Sequence, residues 1–222
     1  MAVTETWLSN NVYDSELFPE NFLVFKNRNR ESKKRGGGVL LAVKNVYKCK
    51  MVQLELNNPE FDIVLVKVYT SKNNHLYILV VYITPNCTVT DREELFRLLE
   101  TLEFFYNSDF IVLGDLNITH LRDYYLNQNT IDYNVELFLG FLNFYNCTQF
   151  NQICNNYDRI LDVVVSRLAC VVEMNTFSFV NEDAHHPTLL VNIILKKPKH
   201  KDISRNSNHN YNIKIGDYMT ML

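Results

Sequence analysis

Short runs of apolar and β-branched residues, separated by polar turns, dominate the first part of the chain. The runs are FLVF, GVLLAV, MVQLEL, DIVLVKVYT and HLYILVVYI, at 22–25, 38–43, 51–56, 62–70 and 75–83. Their content of Val, Ile, Leu and Tyr predicts β-strands. The turns NNP and SKNN separate the last three runs. We therefore expect these three runs to be consecutive antiparallel strands.

Two later segments have the period of helices instead. In TVTDREELFRLLETLEFFYN, Thr90 and Glu93 are spaced as the two ends of a capping box, which predicts Thr90 as the N-cap of a helix. The apolar residues that follow at helical spacing are Leu95, Leu98, Leu99, Leu102 and Phe105. A second helix is predicted from about Tyr133 to Tyr145, because apolar residues are dense there and no proline interrupts them.

Further strand-like runs flank the second helix. They are DFIVLGDLN, RILDVVVSR, VVEMNTFSFV and HPTLLVNIIL, at 109–117, 159–167, 171–180 and 186–195. Strands grouped before and after two helices predict a layered α+β sandwich, with the helices outside paired sheets. The next segment, KKPKHKDISRNSNHN, is charged, polar and interrupted by proline, as a linker is. We therefore expect one domain over residues 1–195 and a polar linker over 196–222.

Composition fits a single globular domain and limits what its surface can bind. Of the 222 residues, 47% are hydrophobic and 21% are charged, which allows a sizeable core. The net charge of −3 argues against a protein held to nucleic acid by a general positive charge, because such binding depends on many phosphate contacts. Any nucleic-acid site on this chain is therefore a local groove.

The cysteines and the apolar runs indicate a compartment. Five cysteines are scattered along the chain in no CxxC or zinc-ligand spacing. An odd number of scattered cysteines favours free thiols in a reducing, intracellular compartment. No apolar run approaches the roughly 20 residues that a bilayer span requires, so we expect no membrane segment.

Four segments share one feature: an apolar strand that ends in a carboxylate, an amide or an imidazole. They are VTETW with Glu5, VLGDLN with Asp115 and Asn117, ILDVV with Asp162, and EDAHHP with Asp183, His185 and His186. Polar groups at strand ends are how a rigid scaffold positions catalytic side chains. Carboxylate oxygens suit Mg²⁺, and a histidine near an aspartate suits proton transfer or phosphate stabilisation.

Each of these residues also has a simple structural interpretation. Glu5 could be a solvated residue near the chain end. The Asp115–Asn117 pair could form a simple Asx turn after a strand. His186 could be a structural histidine. The segment RESKKRGGG leaves two interpretations open. Its glycines suit a hairpin turn that needs positive φ. Its basic residues would make a local phosphate-binding patch, formed by Arg30, Lys33, Lys34 and Arg35.

Taken together, the motifs resemble a known family. VTETW, VVYITPN, IVLGDLN, RILDVVVS and HHP occur in the order of the endonuclease/exonuclease/phosphatase superfamily. The combination TETWLS, RGGGVLLAVK, GDLN and EDAHHP resembles in particular the endonuclease domain of arthropod-type non-LTR retrotransposons. The tail NHNYNIKIGDYMTML resembles the segment that links this domain to reverse transcriptase. The implied fold is a four-layer α/β sandwich of two packed, mainly antiparallel sheets with outer helices.

The function implied by the resemblance is metal-dependent phosphodiester hydrolysis, with nicking of DNA. The resemblance implies Mg²⁺ or Mn²⁺ as the cofactor and DNA as the substrate. It also implies that the domain precedes a reverse transcriptase domain in the parent element and acts in the nucleus. Two alternatives remain open. One is a catalytically impaired remnant that only binds nucleic acid or protein, and the other is a small-molecule phosphatase of the same superfamily.

The resemblance assigns roles residue by residue. Glu5 matches the metal-ligand glutamate, with Asp183 as a second candidate ligand. Tyr82 matches a tyrosine that contacts the scissile phosphate. Asp115 would orient or deprotonate the attacking water, and Asn117 would position water or phosphate. Asp162 would orient His186, which would neutralise charge on the pentavalent phosphate.

The chain departs from the family pattern in two places. His185 stands where the family usually carries an aspartate before the catalytic histidine. The sequence also starts at the glutamate strand, so we expect the first strand and helix of the family to be missing. Glu5 would then lie on a terminus liable to fray, with weak metal binding as the consequence.

Overall fold

The computed structural model describes residues 1–8, 11–27, 36–55, 58–126, 132–175 and 184–195, and the backbone of 213–215. The strands are β1 (Ala2–Thr4), β2 (Phe22–Asn27), β3 (Val39–Lys44), β4 (Lys48–Val52), β5 (Phe61–Tyr69), β6 (His75–Ile83), β7 (Asp109–Asp115), β8 (Thr148–Gln149), β9 (Asp162–Ser166), β10 (Cys170–Met174), β11 (Leu189–Ile193) and β12 (Ile213–Ile215). The helices are α1 (Asp14–Leu17), α2 (Val89–Glu100), α3 (Phe104–Asn107), α4 (Leu121–Tyr125) and α5 (Tyr133–Tyr145).

The described strands form one large sheet and two small ones. The large sheet has six strands in the order β4-β5-β6-β7-β9-β8. Its one parallel pair is β6–β7, which α2 connects as a crossover helix, and its other pairs are antiparallel. The small sheets have the orders β1-β3-β2 and β10-β11-β12, both antiparallel. The predicted α+β sandwich of mainly antiparallel sheets is therefore confirmed.

The large sheet is buried on both faces because its alternate side chains enter two different cores. The core between this sheet and the helices contains, among others, Ile63, Leu79 and Val112 from the strands and Phe96, Phe138 and Phe141 from α2 and α5. The core between the large and small sheets contains Val64, Val80, Ile111, Leu41 and Val191. Burial on both faces explains why apolar residues predominate at consecutive positions of β5, β6 and β7. A smaller cluster, formed by Val3, Leu40 and Ala42, lies on the other face of β1 and β3 and packs against Leu17 of α1 and Phe18.

Several boundaries differ from the sequence prediction by a few residues, and two of the differences have a clear structural reason. The third strand lies at Lys48–Val52 rather than 51–56, because it is an edge strand, and an edge strand carries lysines that a central strand would exclude. The first long helix begins at Val89, two residues earlier than an N-cap at Thr90 predicts. Its N-cap is Thr88, whose hydroxyl accepts from the Asp91 backbone N–H while the Asp91 carboxylate accepts from the Thr88 N–H, both at 3.2 Å. The second helix has the predicted bounds, Tyr133–Tyr145.

Several predicted features lie outside the described residues. These are the basic patch of Arg30, Lys33, Lys34 and Arg35, the candidate ligand Asp183, and the end of the strand predicted over 171–180. Strand β12 comes from the segment predicted as a linker, and its backbone pairs with β11. The domain boundary stays a prediction. Among the described helices, none has both the length and the apolar content needed to cross a membrane.

Candidate active site

Four polar residues stand in one row across the large sheet. Asp62 pairs with Tyr82, Tyr82 with Asp115, and Asp115 with Asp162, so the row crosses β5, β6, β7 and β9 at a single register position. Paired residues project to the same face of a sheet. The four side chains therefore point toward the small sheets, at the edge of the core between the sheets. All four residues are at most 3% exposed.

Glu5 reaches this row from the small sheet. It follows β1 directly and has a left-handed backbone conformation, with φ of 52°. The hydroxyl of Tyr82 donates a hydrogen bond to Glu5 Oε1. Ala2 and Val3 of β1 are fully buried and paired with β3. The strand before Glu5 is therefore paired and buried, and the Glu5 side chain has a hydrogen-bond partner, while the expected fraying of this end stays a prediction.

The glycines of RESKKRGGG hold the Glu5 turn in place. Backbone N–H groups of Thr6 and Trp7 donate to the carbonyls of Gly38 and Gly37, at 3.1 and 2.9 Å. Gly38 has φ of +94°, and a Cβ at this position would lie 2.4 Å from Thr6 Oγ1. The Gly38 N–H donates to the Asp62 carboxylate at 2.7 Å. The glycine half of the motif thus needs positive φ, as predicted, and connects Asp62 to the Glu5 turn.

The segment GDLN ends β7 in a tight turn. Gly114 has φ of +143°, and a Cβ there would lie 1.8 Å from the Val81 carbonyl oxygen, so no side chain fits. Asn117 has φ of 48°. Its backbone N–H donates to Asp115 Oδ1 at 2.8 Å, and its side-chain amide donates to Asp115 Oδ2 at 2.8 Å and to the Ile83 carbonyl at 2.7 Å. The Asx turn is real, but its carboxylate is buried instead of solvated.

His186 lies between Asp115 and Asp162 of the row. Its Nδ1 is 3.0 Å from Asp162 Oδ2, at hydrogen-bond distance, and its Nε2 is 3.7 Å from Asp115 Oδ2. The imidazole is 11% exposed, so one edge remains accessible. The structure therefore brings together Glu5, Tyr82, Asp115, Asn117, Asp162 and His186, which come from five separate parts of the chain.

Burial and neighbouring charge shift the proton affinities of the site. Burial alone would lower the pKa of His186, but the hydrogen bond and charge of Asp162, with the charges of Asp115 and Glu5, raise it to about 10. The pKa of Asp115 is also raised, first by burial and then by the charge of Asp162, although His186 opposes the rise. At neutral pH the imidazole is a cation, and Asp115 accepts a proton more readily than an ordinary carboxylate does.

Two asparagines that the sequence reasoning missed support these groups. The Asn151 amide donates to the Asp162 carbonyl at 2.8 Å, and the Asn155 amide donates to the His185 carbonyl at 3.1 Å, next to His186. Both asparagines are buried. They lie in an irregular segment whose sequence gives no periodic signal. His185 itself is exposed, and its ring stacks on Tyr157 with 4.6 Å between centroids.

The donor set suits a hard cation that keeps part of its water shell. No group of three or more His, Cys, Asp or Glu side chains in the described ranges is arranged to enclose a metal ion. Glu5 is partly exposed, and its carboxylate is at the rim of the row. Mg²⁺ typically takes one or two protein carboxylates, with water and substrate phosphate oxygens completing its shell. The residues present fit this mode of binding and not a closed cage.

Comparison with solved structures identifies the fold. The chain has the fold of the endonuclease/exonuclease/phosphatase proteins. A protein of this group from Leptotrichia buccalis C-1013-b superposes with a TM-score of 0.54 at 10% identity, over 88% of this chain and 86% of that chain. The endonuclease domain of TRAS1, a telomere-specific non-LTR retrotransposon, superposes with a TM-score of 0.58 at 17% identity, over 80% and 82% of the two chains. No protein-family model and no curated protein matches the chain in sequence. The resemblance inferred from the motifs is confirmed at the level of the fold.

Proposed function

We propose that the chain is a Mg²⁺-dependent phosphodiesterase that nicks DNA, from or derived from a non-LTR retrotransposon. The observation that carries the proposal is the convergence of Asp115, Asp162 and His186 at one edge of the core, with Asn117 fixed on Asp115. The likeness in fold to the TRAS1 endonuclease domain favours DNA as the substrate. DNA binding, the nuclear location and a neighbouring reverse transcriptase are part of this proposal.

Asp115 and Asn117 act on the attacking water. Its raised pKa makes the Asp115 carboxylate a better proton acceptor near neutral pH, where a general base works best when its pKa approaches the pH. Asn117 fixes both carboxylate oxygens through two hydrogen bonds of 2.8 Å. The base therefore has one orientation before substrate arrives, which favours a productive geometry for attack.

His186 and Tyr82 act on the phosphate. Asp162 holds Nδ1 of the imidazole, which leaves Nε2 of the cationic ring, 3.7 Å from Asp115 Oδ2, to donate to a phosphoryl oxygen. Negative charge grows on these oxygens as the pentavalent transition state forms, and a fixed cation stabilises it. The Tyr82 hydroxyl, which comes from the residue paired with Asp115, donates to Glu5. Glu5 would hold the Mg²⁺, which when bound supplies Lewis-acid neutralisation of phosphate charge.

The test is nicking of supercoiled plasmid by the purified chain with Mg²⁺, with Mn²⁺ and with EDTA. We expect nicking only with a divalent cation, and a loss of roughly 10²–10⁴-fold in Asp115→Ala and in His186→Ala. Two variants provide matched controls. Asp109→Ala removes an exposed aspartate at the other end of β7, and His120→Ala removes a histidine of an exposed ion pair. Both controls should nick at the wild-type rate.

The same preparation distinguishes the alternatives. Turnover of soluble phosphate esters without plasmid nicking would replace the endonuclease with a small-molecule phosphatase. DNA binding without any turnover would indicate a binding module. Nicking that survives EDTA, or that persists undiminished in His186→Ala, would refute the assignment of this site.

A further inference from the structure

Arg92 is a buried cation that has no role in the proposed hydrolysis as described for Asp115, Asn117, His186 and Tyr82. It lies in the first turn of α2, on the apolar stripe with Leu95, Phe96 and Leu99, and it is 3% exposed. A buried charge is costly unless it is paired or fully hydrogen-bonded. In the part of the chain that the structure describes, the guanidinium forms no ion pair with a carboxylate. Its hydrogen bonds instead go to two backbone carbonyls, from Nη1 to Leu116 at 2.6 Å and from Nη2 to Asn117 at 3.3 Å.

These two carbonyls belong to the turn that holds the proposed general base. Asn117 has a left-handed backbone, with φ of 48°, which is uncommon for residues other than glycine, although asparagine adopts it more readily than most. In this conformation the Asn117 backbone and side chain both donate to the Asp115 carboxylate. Arg92 reaches this turn from α2 and donates to the turn's backbone carbonyl groups. It therefore contacts the backbone that determines how Asp115 is oriented.

We propose that Arg92 is a positioning residue for the proposed hydrolysis. It clamps the carbonyls of Leu116 and Asn117, keeps Asn117 in its left-handed conformation, and so holds the Asp115 carboxylate in the orientation required for attack. Arginine suits this task because its planar fork reaches two acceptors at once, whereas a lysine ammonium is a point donor on a flexible stem. The role acts through Asn117 and requires no contact between Arg92 and the substrate.

The kinetic test, which rests on the proposed function, compares Arg92→Met and Arg92→Lys with Arg97→Met. Arg97 is on the same helix, its side chain is 77% exposed, and it pairs with Glu93, so its loss controls for removal of a charge from α2. We expect kcat to fall by about 100-fold in Arg92→Met with KM unchanged, because misplacement of a catalytic group affects the transition state. Arg92→Lys should be intermediate. Asn117→Ala combined with Arg92→Met should be no slower than the slower single variant.

A second readout does not depend on turnover. The side-chain amide protons of Asn117 are hydrogen-bonded to Ile83 and Asp115, so their exchange with solvent, followed by NMR, reports the turn directly. In Arg92→Met we expect this exchange to be at least about tenfold faster, with no change in Arg97→Met. The Asn117→Ala spectrum assigns the signals. If Arg92→Met does not fold, Arg92→Lys decides the question by the same two measurements.

The outcomes separate the two proposals. If Arg92→Met merely melts earlier, while the folded protein keeps wild-type kcat and wild-type protection of the Asn117 amide, Arg92 is only structural and the inference is overturned. If the wild-type chain cleaves no phosphodiester but Arg92→Met still releases the Asn117 amide, the positioning role stands and the proposed function fails. Additive effects of Arg92→Met and Asn117→Ala would also overturn the inference.

Discussion

Replacing Asp162 with asparagine removes the charge beneath His186 while keeping the shape of the side chain. In the folded protein the pKa of His186 is raised from 6.5 to about 10, with Asp162 supplying the largest favourable contribution. A group whose pKa is raised on folding stabilises the protein fully below its unfolded pKa, and this stability is lost as the pH rises through the folded pKa. The Asp162–His186 interaction should therefore stabilise the fold at pH 6 and no longer do so above pH 10.

The size of the effect follows from the shift. The net rise in the His186 pKa, from 6.5 to about 10, at about 1.36 kcal/mol per pH unit corresponds to about 5 kcal/mol from the charged partners after the opposing effect of burial. Breaking a buried ion pair typically costs about 3–5 kcal/mol. Asparagine still accepts a hydrogen bond from Nδ1, and loss of the charge relieves the repulsion that raises the pKa of Asp115. We therefore expect a loss of about 3 kcal/mol at pH 6.

The assay is urea unfolding of the wild type and of Asp162→Asn, in EDTA, from pH 6 to pH 10.5. The difference in unfolding free energy should shrink steadily as the pH rises, and above pH 10 the variant should equal or exceed the wild type. NMR titration should show a lower His186 pKa in the variant. Glu103→Gln, which removes an exposed charge, should give a small difference at every pH. A difference that does not change with pH, or a wild-type His186 pKa near 6.5, would refute this account of the pair.

Two further predictions concern groups around the site. Tyr82→Phe removes the hydroxyl that donates to Glu5, so we expect the free energy of unfolding to fall by about 1–2 kcal/mol. Mn²⁺ binding, measured by electron paramagnetic resonance, should also be weaker. An unchanged Mn²⁺ affinity would show that Tyr82 does not contribute to the metal site. Gly114→Ala forces a Cβ against the Val81 carbonyl at φ of +143°, so we expect a loss of about 3 kcal/mol or more in urea unfolding. Gly140 is an exposed residue within α5, and no atom lies within 4 Å of the Cβ that alanine would add. Gly140→Ala should therefore raise the free energy of unfolding by about 1 kcal/mol. Equal effects of the two substitutions would contradict this explanation.

The central strands could be predicted because burial on both faces leaves its mark in the sequence. β5 and β6 lie in the interior of the large sheet and are nine residues long, and Val, Ile and Leu make up more than half of each. The edge strand β4 has no such run, and its alternating lysines hid its true position. The helix α5 was predicted at both ends because its apolar residues are dense and uninterrupted.

The candidate site could be predicted only in part. A polar residue that ends an apolar run is visible in the sequence, and this signal identified Asp115, Asp162 and His186. Which of these residues meet depends on register, since Asp115 lies opposite Asp162 through pairing of strands 47 positions apart. Arg92 had a signal that was overlooked, because it occupies the helical stripe of Leu95 and Leu99, where a charge is unexpected. Asn155 had none, since its role comes from an irregular turn.

The charges at the site explain how a chain with a net charge of −3 could act on a phosphodiester. Three acidic groups, Glu5, Asp115 and Asp162, face a single imidazole, and each of them contributes to the raised pKa of His186. The imidazolium offsets the charge of only one acidic group, so the carboxylates that stay charged would repel an incoming phosphate at short range. A divalent cation at Glu5 would reverse that repulsion at the point where the phosphate must bind. Affinity for a phosphodiester at this site should therefore depend on the cation more steeply than on any single basic side chain.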